Sequence, residues 1–203
     1  MTRVKICGLS RMADIEAVNR ILPDFIGFVF APSRRRVEIE RASMLKGELD
    51  PRIKAVGVFV NENIKTVSEI YQNGIIDLVQ LHGDEDDEYI RKLKDNCGCP
   101  VIKAVSVGDI LPPLPLGPDY LLFDTLSEQR GGIGRAFDWD ILKEYHGLPY
   151  FLAGGLSTEN ADKAKHLLAP YCMDISSGVE TDGVKDADKI EKFVNLIRRK
   201  DDE

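Results

Sequence analysis

Short apolar runs alternate with amphipathic stretches along the whole chain. Residues 4–7, 25–30, 55–60, 78–81, 101–105, 120–123, 150–152 and 173–175 read as eight strands. Several of them, 25–30 above all, are almost continuously apolar, as expected of parallel strands covered on both faces. Helical periodicity fills the spaces between them. The spacing predicts helices over about 11–21, 38–48, 85–95 and 187–199, a third helix after Asn61, a sixth from near Asp138 and a seventh after Ser157. Ser10, Asn61 and Ser157 are the expected N-caps. The fifth crossover breaks the pattern. Leu111-Pro112-Pro113-Leu114-Pro115-Leu116-Gly117-Pro118 lacks backbone donors at its prolines and predicts a loop or a single turn. Strict alternation indicates an α/β fold with a parallel sheet. Eight strands favour a closed (β/α)8 TIM barrel over the runner-up, a flavodoxin-like open sheet.

The 203 residues are expected to form a single barrel domain, 1–203. With 43% hydrophobic and 30% charged residues the composition is that of a soluble globular protein. The formal net charge of -7 opposes nonspecific nucleic-acid binding. No apolar run approaches the roughly 18 residues of a membrane span. The chain starts straight into a strand without the apolar core of a signal peptide, so a cytoplasmic protein is expected. Cys97-Gly98-Cys99 lacks zinc-site spacing and is read as reduced thiols; Cys172 is read as a small core residue. His82, His146 and His166 are too scattered for a metal cluster, and no metal is expected.

A barrel of this kind does its chemistry at the C-terminal ends of its strands. Those ends carry Cys7, the run Ser33-Arg34-Arg35-Arg36, His82, Asp124, Gly154-Gly155, Asp174 and Ser176-Ser177-Gly178. Small-residue loops after the seventh and eighth strands suit a phosphate bound by backbone N–H groups. A thiol with an ordinary pKa of about 8.5 and a carboxylic acid kept protonated by partial desolvation can form a base and acid pair, which singles out Cys7 and Asp124. Taken singly, each also fits a structural role. The arginine run is either a solvated turn or a grip for an anionic group. His82 is either a satisfied polar residue or a substrate contact. Gly131-Gly132-Ile133-Gly134-Arg135 suggests a mobile loop and is not a dinucleotide fingerprint.

Taken in order, Lys5-Ile6-Cys7-Gly8, Gly27-Phe28-Val29-Phe30, Val56-Gly57-Val58-Phe59, Gln80-Leu81-His82-Gly83, Phe123-Asp124, Gly131-Gly132-Ile133-Gly134 with Phe137-Asp138-Trp139, Gly154-Gly155-Leu156 and Asp174-Ile175-Ser176-Ser177-Gly178-Val179-Glu180 resemble the phosphoribosylanthranilate isomerase family over almost the whole chain. The resemblance implies a TIM barrel and a cofactor-free Amadori rearrangement in tryptophan biosynthesis. N-(5-phosphoribosyl)anthranilate would become 1-(2-carboxyphenylamino)-1-deoxyribulose 5-phosphate. It implies Asp124 as the general acid on the furanose ring oxygen and Cys7 as the base at C2. Arg35 would hold the anthranilate carboxylate, with Arg34 and Arg36 left as alternatives. Gly154, Gly155, Ser176 and Ser177 would contact phosphate, Asp174 would lie near the sugar hydroxyls, and Arg135 would stand in for a family lysine. The related sugar isomerase of histidine synthesis has an aspartate at the first strand end, against Cys7 here. A non-catalytic barrel binding a phosphorylated ligand would not need both Cys7 and Asp124. The expected partner is the small-molecule substrate, and the chain is expected to act as a monomer or homodimer.

Overall fold

A computed structural model describes residues 1–126 and 137–199. Eight parallel strands close into a barrel in sequence order: β1 (Arg3–Cys7), β2 (Phe25–Val29), β3 (Lys54–Phe59), β4 (Leu78–Leu81), β5 (Val101–Val107), β6 (Tyr120–Thr125), β7 (Tyr150–Leu152) and β8 (Cys172–Ile175). The ring is shut by β1 against β8, with Lys5 opposite Asp174. Six helices are described: α1 (Met12–Ile21), α2 (Ile39–Gly47), α3 (Ile64–Gln72), α4 (Asp87–Cys97), α5 (Ala161–Leu168) and α6 (Ala187–Arg198). None is long and apolar enough to cross a membrane.

Period-two alternation along each strand divides the core in two. One set of side chains faces the helices, where Ile6, Ile26, Val79 and Phe123 meet Ile15, Val18, Ile190 and Phe193. The other set points into the barrel. Phe25, Val56, Leu78, Ile102, Leu122, Phe151, Ala153 and Cys172 fill its lower part. Above them the inward positions turn polar at Lys5, Gln80 and Asp174, all buried. The barrel is therefore plugged by hydrocarbon below and lined by charge above.

One device recurs at the bottom of the barrel. Asp24, Asp77 and Asp119 each precede an even-numbered strand and accept a hydrogen bond from the backbone of the strand before it, at Val4, Ala55 and Val101. Each aspartate also meets a cation from a helix: Arg198 of α6, Lys46 of α2 and Lys94 of α4. A carboxylate with several acceptor sites can satisfy both, and so it ties strand register to helix position.

The fifth crossover has no helix, as its prolines require. The sixth departs from expectation. Only a 3-10 turn over Trp139–Leu142 stands where a helix was predicted from near Asp138. Gly147 and Pro149 follow too closely for a longer helix, and Tyr145 covers the strands instead, with its ring 5.2 Å from Phe123 and 5.5 Å from Tyr150. Three caps and one helix start also differ. Arg11, not Ser10, is the N-cap of α1, because buried Asp14 already accepts the N–H groups of Ser10 and Arg11. Asn63, not Asn61, caps α3; Asn61 has a left-handed backbone and donates its N–H to Glu85. Asp86 caps α4, leaving Glu85 outside the helix. Asn160, not Ser157, is the N-cap of α5. A hairpin absent from the sequence reading, β9 (Glu180–Thr181) with β10 (Val184–Lys185), follows β8. Its turn, Asp182-Gly183, has positive φ at both residues, as a type I′ turn demands.

Candidate active site

A cavity of about 610 Å³ opens at the C-terminal end of the barrel. Cys7, Arg34, Arg35, His82, Asp124, Gly154, Gly155, Asp174, Ser176 and Ser177 all line it, so the structure brings together most of the candidates drawn from the strand ends; Arg36 and Gly178 are not among its lining residues. Such a volume suits a small organic molecule. Gly131 to Arg135 lie outside the described residues. Among the described residues no group of three or more His, Cys, Asp or Glu is placed to hold a metal ion.

Asp124 sits near the end of β6. Its Oδ1 accepts the Thr125 backbone N–H at 2.8 Å, and its Oδ2 lies 3.3 Å from His82 Nε2. Gly154 is required beside it: a Cβ there would stand 2.8 Å from Asp124 Oδ1 and closer still to Thr125. The glycine after β7 thus makes room for the carboxylate, a purpose beyond the phosphate contact expected of it. Asn160 pins the same loop, donating to Gly155 O at 2.8 Å and accepting from Ser157 N at 2.9 Å.

Cys7 ends β1 across the mouth. Burial pushes its thiol above the ordinary value, with nearby Asp174 adding to that; Lys5 and Lys185 pull the other way. Thiolate is therefore scarce at neutral pH but is a strong base when formed. Alkylation of Cys7 by iodoacetamide, followed by peptide mapping that separates it from Cys97, is expected to accelerate about tenfold per pH unit from near pH 7 past the ordinary thiol value of about 8.5. A rate that is already flat at neutral pH would contradict the burial effect.

The three arginines after β2 part company. Arg36 turns to Glu38 at 3.3 Å. Arg34 lines the cavity, but 60% of its side chain is exposed. Arg35 lines it with only 18% exposed, and its stem crosses the backbone just past Cys7, where a Cβ on Gly8 would lie 2.5 Å from Arg35 Cδ. Glu180 of the hairpin clamps Arg35, taking Nε at 2.6 Å and Nη2 at 3.1 Å. Two of five donors are thereby used and the plane of the fork is set. Burial pushes the Glu180 carboxyl up, but hydrogen bonds from Arg35 and Lys185 bring it below its ordinary value. Lys185, itself buried, also donates to the Ser176 carbonyl at 2.8 Å, and Ser176 Oγ donates to the Cys7 carbonyl at 3.0 Å.

Sequence reasoning missed Lys5, Gln80, Glu180 and Lys185 as members of the site. The signal for the first two was available. Each lies two positions before a mouth residue, Cys7 or His82, and so points to the same interior.

The family model for N-(5'phosphoribosyl)anthranilate (PRA) isomerase matches residues 4–196. A relative of that name from Endomicrobium trichonymphae is 47% identical, covering 98% of this chain and 99% of its own. The crystal structure of phosphoribosyl anthranilate isomerase from Thermotoga maritima is 34% identical, with a TM-score of 0.85 over 98% of this chain and 99% of that one. A crystal structure of phosphoribosyl anthranilate isomerase in complex with reduced 1-(o-carboxyphenylamino)-1-deoxyribulose 5-phosphate is 33% identical, with a TM-score of 0.82 over 98% of this chain and 99% of that one. A parallel barrel with this cavity, matched from strand one to the last helix, places the chain in the N-(5'-phosphoribosyl)anthranilate isomerase family.

Proposed function

We propose that Asp124 and Cys7 act as acid and base in the isomerisation of N-(5'-phosphoribosyl)anthranilate. The observation that carries this reading is their placement on one cavity with groups suited to both ends of that substrate. Gly154, Gly155, Ser176 and Ser177 form the phosphate end, where small residues let phosphate oxygens approach backbone N–H groups. Arg35 holds the anthranilate carboxylate with the donors that Glu180 leaves over. Asp174 meets the sugar hydroxyls between them.

Asp124 protonates the furanose ring oxygen, the C1–O bond breaks, and the nitrogen lone pair forms a protonated Schiff base. Cys7 thiolate then takes the proton from C2, and those electrons form the enolamine, which tautomerises to the ketone. Positive charge on the Schiff base acidifies C2–H. Lys5 and Lys185 favour the thiolate that removes the proton. The steps need proton transfers only, and no cofactor enters.

The test is turnover of substrate generated in situ, followed as loss of its anthranilate-type fluorescence. The enzyme is expected to consume it, and enzyme alkylated at Cys7 is not. A folded protein that leaves the fluorescence unchanged would overturn the proposal and favour a barrel that only binds phosphorylated ligands.

A further inference from the structure

Lys5 is wholly buried, yet it carries an ammonium group. Burial alone would pull that group down, but Asp174 and Cys7 together hold it above the ordinary lysine value. Its Nζ lies 2.7 Å from Asp174 Oδ2 and 2.9 Å from Gln80. An ammonium has donors only, so the Gln80 atom that faces it is the carbonyl oxygen, Oε1. The amide nitrogen of Gln80 must then face the other way, and it lies 2.9 Å from His82 Nδ1. That nitrogen also has donors only, so Nδ1 is bare. The ring hydrogen is thereby left on Nε2, which points at Asp124 Oδ2 from 3.3 Å. Each role is forced by the one before it. Gln80 is buried, so its amide cannot turn over and recruit bulk water. Turned over, it would set N–H against ammonium and oxygen against a bare ring nitrogen.

We propose that Lys5 and Gln80 are positioning residues that lock His82 in its Nε2–H tautomer, so that the ring donates to Asp124 and cannot take from it the proton meant for the substrate. The inference rests on Asp124 being the acid. In the opposite tautomer a bare Nε2 would face Asp124 and accept the proton meant for the substrate. In the locked tautomer Nε2–H can only donate. Together with the Thr125 N–H on Oδ1 it meets the charge left on the carboxylate once the proton has gone. The relay also spans the mouth, joining the strand that bears Cys7 to the strand that bears Asp124.

Nitrogen-15 NMR of the imidazoles in ligand-free enzyme tests this directly. His82 is expected to show a protonated Nε2 and a bare Nδ1. In Gln80→Glu a carboxylate oxygen faces Nδ1, so that nitrogen should gain a hydrogen, and kcat should fall about tenfold or more with KM little changed, the loss of one hydrogen bond to a charged group. Gln80→Met, similar in length, frees the ring and should give a mixture of tautomers with a smaller fall in kcat. A protonated Nδ1 in the wild type would overturn the proposal. So would a His82 tautomer and kcat that are unchanged in both variants. The NMR measurement needs no substrate, so its outcome is independent of whether turnover itself is observed.

Discussion

Asp124→Asn is expected to lower kcat about 10²- to 10⁴-fold, the usual worth of a positioned general acid. The amide cannot deliver a proton to the ring oxygen. The surroundings make the defect worse. Thr125 N–H holds whichever atom faces it as an acceptor, so the asparagine oxygen takes the Oδ1 position. Its NH₂ group then faces His82 Nε2–H, donor against donor. Affinity for the reduced product analogue should survive, because the phosphate and carboxylate ends of the cavity are untouched. Steady-state kinetics beside a binding titration will separate the two effects, and near-normal turnover would remove Asp124 from the role of acid.

The largest effect on stability is expected at a site that never meets substrate. Glu85 accepts hydrogen bonds from Asn61 N, Gly83 N and Lys103 Nζ, at 2.7, 2.9 and 2.8 Å. The side chains of the ion pair are 1% and 8% exposed. Glu85→Ala strands a buried ammonium and two backbone donors at once. The cost is expected to be about 3–5 kcal/mol, read from the midpoint of urea unfolding at an unchanged slope. Glu85→Leu combined with Lys103→Met should lose far less, because no charge is left behind. A single variant as mild as a surface substitution, within about 0.5 kcal/mol, would mean that solvent reaches Lys103. The same residues close the turn that follows His82, so the variant should also lose activity before it unfolds.

The strands were legible because burial on both faces leaves little room for polar residues, and the apolar runs mark them to within two residues. Strand five is longer than expected because Ser106 and Val107 continue to pair with Asp124 and Thr125. Ser106 is exposed, so no apolar pattern announces that extension. The caps were harder. Ser10, Asn61 and Ser157 are good capping residues by type, but other carboxylates decide where the helix begins: Asp14, within the first turn of the first helix itself, and Glu85, a tertiary partner, at the third. The mouth residues could be found from strand ends alone. Their roles could not, since a terminal cysteine or aspartate has structural uses as well. What sets Arg35 apart from Arg34 and Arg36 is visible only in three dimensions: Glu180, from a hairpin far along the chain, meets both Arg34 and Arg35, but of the two only Arg35 is largely buried. Its Asp182-Gly183 turn was a readable signal that the helix-and-strand pattern passed over. So was the aspartate before each of strands two, four and six. Lys5 and Gln80 were hidden by the opposite effect: each is a single polar residue inside an apolar run, and only its parity with Cys7 or His82 betrays which way it points.

The ring is shut by two strands whose buried ion pair joins residues 169 positions apart. Bringing such distant segments together costs chain entropy before any contact repays it, so this pairing belongs late in folding. Until β8 docks, Lys5 has no counter-charge. Gln80 then has no fixed ammonium to orient it, and Cys7 lacks the Ser176 and Lys185 neighbours that complete its surroundings. If Cys7 and Asp124 act as base and acid, their surroundings are complete only when β8 closes the ring.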